Sequence, residues 1–167
     1  MTDNFCALGI DPGPAPGFGL LHYEMRGAVP ALADAEVYQC NTSAALSLFS
    51  YLLHVRAARG PVYCQTERFV AGPRSSKLKG TKASTTQGLI ADLQLEAAAA
   101  GHRVQLMLRS AGAVKPWATD ERLTAAGLAH LMIPGMTHSR DGLRHSLFTA
   151  SKDAGVPDPL SRRSRPG

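Results

Sequence analysis

Cysteine, aromatic residues and long apolar runs are all scarce in this chain. Its 167 residues include three cysteines, and aromatics make up 6%. Cys6, Cys40 and Cys64 form no CxxC pair and no Cys/His cluster with ligand spacing, which excludes a disulfide framework and a structural zinc site. All three fall in apolar runs of strand length, so reduced core thiols of a cytoplasmic protein are expected. No apolar stretch approaches the roughly 18 residues of a membrane span, so no membrane partner is expected. At the start, Asp3 and Asn4 stand where a secretory leader carries basic residues, and Asp11 interrupts the apolar stretch.

Acid is in short supply too. Eighteen Lys+Arg oppose thirteen Asp+Glu, for a net charge of +5. What is abundant is aliphatic: 44% of residues are hydrophobic and they are spread throughout, which excludes a disordered chain. The length fits one domain of roughly 100–200 residues, expected over 1–155, with a basic, disordered tail over 156–167.

The positive charge is unevenly placed. Residues 1–67 hold three basic and six acidic residues, whereas 68–119 hold eight basic and two acidic, a local net of +6. A basic middle beside acidic flanks suits a polyanion track next to a carboxylate site, although a solvated surface reads the same way.

Apolar runs at Phe5–Ile10, Phe18–Tyr23 and Leu32–Cys40 read as three strands in a meander, the first two joined by a Pro/Gly turn. Asn41, Thr42 and Ser43 offer caps for a helix with apolar face Leu46, Phe49, Leu53 and Val55 or Leu52. Gly60-Pro61 ends it, and Val62-Tyr63-Cys64 opens a fourth strand running to Glu67. Residues 70–83 read as a loop, followed by a helix from Ser84-Thr85-Thr86 to Ala100 and a fifth strand over Arg103–Leu108. Thr119 opens a helix to about Leu131, and Thr137 caps a last one to about Ser151. The order predicts an α/β domain, a five-stranded mixed sheet flanked by helices.

Three acids stand where an acid is costly unless it has work to do. Asp11 and Glu67 each end a buried-looking strand, and Asp141 sits in an amphipathic helix beside Leu143 and Leu147. His138 precedes Asp141 by three residues and shares its helical face, and His145 falls on or near that face. Magnesium takes two or three carboxylates with substrate phosphate completing its shell, and two ions about 3.5–4 Å apart serve phosphodiester hydrolysis. The ordinary alternatives are that Asp11 caps its turn, Glu67 pairs with Arg68 or Arg74, and His138 caps its helix. The combination favours a metal site.

Leu8-Gly9-Ile10-Asp11-Pro12-Gly13 with Gly17-Phe18-Gly19-Leu20, then Tyr63 to Phe69, then His138-Ser139-Arg140-Asp141-Gly142-Leu143, together resemble the motifs of RuvC-type Holliday-junction resolvases. The resemblance covers about residues 4–151 and implies a ribonuclease H-like fold. It implies that Asp11, Glu67, His138 and Asp141 hold two Mg2+ ions, for which Mn2+ substitutes. It further implies that Lys115 lies near the scissile phosphate, and that a homodimer places paired nicks in a four-way junction, leaving 5′-phosphate and 3′-hydroxyl ends. Phe69 stands two residues after Glu67, where the family's wedge aromatic stands at three. Gly142, Arg144 and Ser146 replace small alanine positions, so Arg144 is a further candidate for phosphate contact, and Arg122 is the substitute for a basic residue near the penultimate helix.

Branched DNA is the expected partner. Beyond Phe69, the candidates for its contact are Arg74, Lys77, Lys79, Lys82, Ser84, Thr85 and Lys115, cations and hydroxyls suited to phosphate. Leu89, Leu93, Leu95 and Ala97 are candidates for either a dimer face or the core, and Trp117 for either as well. Two other readings compete: a ribonuclease H-like nuclease acting on flaps, forks or RNA–DNA hybrids, and a non-catalytic junction-binding module. An actin-like ATPase, suggested by the Gly-Ile-Asp opening, needs far more chain.

Overall fold

A computed structural model describes residues 4–57, 60–69 and 81–161, with side chains from 85 onward in the last stretch. Strand β1 (Phe5–Asp11) is buried along its whole length, as its nearly unbroken apolar run requires. It pairs antiparallel with β2 (Gly17–Arg26), which pairs antiparallel with β3 (Val29–Gln39). On its other side β1 runs parallel to β4 (Val62–Glu67), and β4 parallel to β5 (Val104–Arg109). The sheet is five-stranded and mixed, as the sequence led one to expect, and its order is β3-β2-β1-β4-β5.

Strand parity divides the core in two. Cys6, Leu8 and Ile10 of β1, with Phe18, Leu20, Val62 and Cys64, face helix α1 (Thr42–Tyr51) and helix α2 (Thr81–Ala99). Phe5, Ala7, Leu21 and Tyr23 face the long helix α5 (Thr137–Lys152) through Leu143, Leu147 and Ala150. Short helices α3 (Ala111–Val114) and α4 (Asp120–Ala125) lie between β5 and α5 in the chain, and α4 adds Leu123 to the second core.

Several local expectations change. Helix α1 is capped by Asn41, whose Oδ1 accepts from the Ala44 amide, but it widens into a π-helical turn over Leu52–Arg56. Leu52 and Leu53 are thereby both buried, whereas Leu46 and Val55 stay exposed. Helix α2 begins at Thr81, not Ser84, because nothing after Gly80 breaks a helix, so Thr85 and Thr86 lie inside it. Its Leu89, Leu93 and Ala97 are core, and Leu95 is exposed. Helix α4 stops at Ala125 since Gly127 turns the chain with φ +83, leaving a separate 3-10 turn at Ala129–Leu131. Thr137 is the first helical residue of α5, not its cap. Cys40 is only half-buried, just past β3. Burial pushes the Cys6 thiol up to about 11, that of a reduced core cysteine.

The chain does not loosen at 156. Val156 is buried in the α5-side core, and the Asp158 carboxylate accepts from the Arg122 guanidinium at 3.1 Å. Both contacts tie the segment to α4 and α5, so the packed domain runs past the expected boundary at 155. Residues 162–167 lie outside the described residues. No helix among the described residues is long and apolar enough to cross a membrane.

Candidate active site

The sheet presents its acids on the α5 side. Odd-numbered positions of β1 and β4 point there, which puts Asp11 and Glu67 on the face covered by α5. Ile10 pairs with Thr66, so the two acids leave neighbouring strand ends. Helix α5 can lie close because glycines line its path. A Cβ on Gly17 would sit 2.0 Å from the His138 carbonyl, and one on Gly9 would sit 2.1 Å from the Gly142 oxygen. Both are backbone contacts, with no flexible side chain to yield. This close approach brings the first turn of α5 over the ends of β1 and β2.

His138 and Asp11 meet there. The imidazole Nδ1 lies 2.7 Å from Asp11 Oδ2, while the Gly13 amide donates to Asp11 Oδ1 at 3.0 Å. Asp11 thus caps its turn with one oxygen and meets His138 with the other. Gly13 also makes room for the ring, since a Cβ would stand 2.7 Å from His138 Cε1.

Asp141 is held by cations. Lys115 Nζ donates to its Oδ2 at 2.8 Å and Arg144 to its Oδ1 at 2.7 Å. Burial opposes ionisation of Asp141, but the hydrogen bond and charge of Lys115, then those of Arg144, outweigh it and hold the carboxyl below the usual range. Burial alone would lower the Lys115 pKa. The Asp141 hydrogen bond, with the charges of Asp141, Glu67 and Asp11, raises it instead. One ammonium thus feels all three carboxylates.

Asp11 and Glu67 line a cleft of about 380 Å³ with Gly13, Phe69, Thr86 and Ser110. The four expected ligands surround this end of the sheet without closing to a common point. Among the described residues, the trio whose ligand atoms lie within 4.8 Å of one another is His22, Asp34 and Glu36. There, Arg56 and Tyr38 already bond Glu36, at the opposite end of β1 beside Cys6. Both Asp141 oxygens are taken by cations, one by Lys115 and one by Arg144. The donor set itself, three carboxylates and one imidazole around an ammonium-balanced cleft, suits a hard divalent cation such as Mg2+ or Mn2+.

No protein-family model matches the chain, and no curated protein matches it. Solved structures do match. The structure of T. thermophilus RuvC in complex with Holliday junction substrate matches with a TM-score of 0.55 at 20% identity, covering 96% of each chain. A Thermus thermophilus RuvC structure gives a TM-score of 0.58 at 20% identity, over 89% of this chain and 96% of that one.

The fold is ribonuclease H-like, in the RuvC arrangement.

On this ribonuclease H-like fold the expected DNA contacts fall unevenly. Phe69 is half-buried in the cleft wall beside Glu67, and Thr85 is exposed on α2. Arg74, Lys77 and Lys79 lie outside the described residues, as do the side chains of Lys82 and Ser84. Arg144 bridges Asp141 and Asp120. Arg122 is spent on Asp158 and on the Trp117 ring, 4.8 Å from its centroid. Trp117 packs edge-on against Phe148 at 5.3 Å, which makes it an anchor onto α5.

One residue proves more central than its spacing suggested. His145 is fully buried, with Nδ1 2.6 Å from Gln65 Nε2 and Nε2 3.8 Å from Glu67 Oε2. The signal lay in β4, where Gln65 and Glu67 alternate onto one face and a buried glutamine needs a polar partner.

Proposed function

We propose that this chain is a metal-dependent endonuclease that cuts branched DNA, four-way junctions in particular. The observation carrying the reading is the gathering of Asp11, Glu67, His138 and Asp141 at one end of the sheet, around the Lys115 ammonium. The T. thermophilus RuvC whose fold it shares is one solved with Holliday junction substrate.

Asp11, Glu67 and Asp141, with His138, would hold the cations. Mg2+ or Mn2+ bound there supplies the charge that ionises an attacking water and stabilises the leaving oxygen of a phosphodiester. The remaining steps belong to side chains. His138 fixes the direction of the Asp11 carboxylate through its 2.7 Å contact. Lys115, charged at neutral pH, neutralises a phosphate brought to the cleft and exchanges Asp141 for it. Phe69, at the mouth beside Glu67, offers a flat apolar surface to an unstacked base. The basic stretch 68–119, with a net charge of +6, holds the flanking backbone.

One chain carries one such site, so symmetric paired nicks call for a homodimer. The products are 5′-phosphate and 3′-hydroxyl ends. On this reading the protein works in the cytoplasm of a bacterial or phage-infected cell. The test offers labelled four-way junctions, flaps and RNA–DNA hybrids side by side with Mg2+ and maps each nick. The reading expects paired nicks at symmetry-related positions of the junction; preferential cutting of hybrids would replace it with a ribonuclease H-like activity.

A further inference from the structure

We propose that His145 is a positioning residue for Glu67, presenting a proton whose place on the ring is fixed by a buried chain running back to Asp153. The proposal rests on the metal-dependent reading given above.

The chain of donors and acceptors admits one solution. Arginine only donates. Arg109 is gripped by Asp153 through bonds of 2.7 and 2.8 Å, and its guanidinium lies 5.2 Å from the centre of the Phe148 ring. It also donates to Gln65 Oε1 at 2.9 Å, so the oxygen of that amide faces Arg109. The amide nitrogen must then face the other way, toward His145 Nδ1 at 2.6 Å. An amide nitrogen only donates, so Nδ1 accepts. A neutral imidazole with an accepting Nδ1 carries its proton on Nε2.

That Nε2–H is buried and has no hydrogen-bond partner among the described residues. It faces Glu67 Oε2 across 3.8 Å, a gap longer than a hydrogen bond but within a side-chain rotation of one. A buried donor without an acceptor is disfavoured, and a carboxylate is the strongest acceptor it can be given. Glu67 is only partly exposed and ends its strand at the cleft. A neutral donor on one oxygen orients the other toward the cleft without adding a competing positive charge. The opposite tautomer would set a lone pair against the carboxylate. Partners of this kind behind a ligating carboxylate are typically worth about 10–100-fold in metal affinity.

Two measurements on the full-length chain decide it. Long-range proton–nitrogen spectra of the metal-free protein at neutral pH should show His145 as the Nε2–H tautomer, a preference that Gln65→Leu should abolish. A ring protonated on Nδ1, or on both nitrogens, overturns the proposal, and the parent spectrum alone suffices if that variant does not fold. Mn2+ titration without DNA, read from the paramagnetic signal of the free ion, gives the second arm. His145→Leu should bind about tenfold more weakly or worse, and His145→Gln, which restores a donor, should recover most of the affinity. Parent-like binding by His145→Leu, with Asp11→Asn impaired, overturns the positioning role alone. Parent-like binding by Asp11→Asn overturns the metal reading itself, and the positioning role with it.

Discussion

The two faces of one sheet differ in what they bury. Toward α1 and α2, the strands offer Leu8, Ile10, Phe18, Leu20 and Cys64, an apolar layer in which packing does the stabilising. Toward α5, the same strands offer Asp11, Gln65 and Glu67 at their ends, and the helix answers with Ser139, His145 and Ser146, all buried. Alternation along β1 and β4 sends Asp11, Gln65 and Glu67 to the α5 face, where Phe5, Ala7 and Leu21 also pack against the helix. A buried polar group is tolerable only when bonded, and on the α5 face nearly every one is held by a named partner. On the proposed reading, stability and chemistry share strands without sharing side chains, a separation that mutation can test.

The largest effect is expected on the α5 face. Asp141→Asn should lower Mg2+-dependent junction cleavage by about 10³-fold or more while junction binding stays within a few-fold of the parent. Gel-shift titration beside a nicking assay measures both. Cleavage falling together with binding would mean that Asp141 serves the DNA contact instead.

Phe49→Ala attacks the other face. Phe49 is fully buried on the inner side of α1, so its truncation should cost about 3–5 kcal/mol in urea unfolding. Cleavage per folded molecule should be unchanged. A parallel drop in specific activity would show that the faces are coupled.

A smaller, pH-dependent effect isolates the buried chain behind His145. Burial opposes ionisation of Asp153, but the Arg109 and Thr149 hydrogen bonds outweigh it and hold the carboxyl below its ordinary 3.8. A depressed carboxyl stabilises the fold above its unfolded-state pKa, and that contribution fades as pH falls through the folded-state value. Asp153→Asn should therefore lower stability at neutral pH and flatten its decline on acidification below about pH 4. Unfolding midpoints across pH 2.5–7 measure it, and an unchanged slope would mean that the Asp153–Arg109 pair does not hold the chain in place.

The smallest effect concerns the basic stretch. Lys77→Ala with Lys79→Ala should weaken junction binding and reduce the salt slope by about 2, close to one for each phosphate that a lysine neutralises. An unchanged slope would take these lysines off the DNA.

Much of the fold was readable from the sequence. Element order and sheet composition follow from apolar runs of strand length and from Gly/Pro punctuation, because β1 must be buried on both faces. That Asp11 and Glu67 each end a strand was legible too, whereas the parallel pairing that makes them neighbours came from the structure. What could not be read is tertiary. That Lys115 and Arg144 each take one oxygen of Asp141 depends on where α3 and α5 meet in space. The π-helical turn that buries Leu52 and Leu53 together breaks the 3.6-residue pattern from which a face is inferred. Val156 looks like the start of a loose tail in the sequence, because a lone valine between Gly155 and Pro157 gives no periodicity to follow.

The central claim is that the strand-end acids of the α5 face make this chain a nuclease. Cleavage of a mobile four-way junction with Mg2+, comparing the parent chain with Asp11→Asn at matched junction binding, asks this without intermediaries. Paired symmetric nicks by the parent and none above background by the variant are expected. Equal nicking by the two proteins would contradict the assignment.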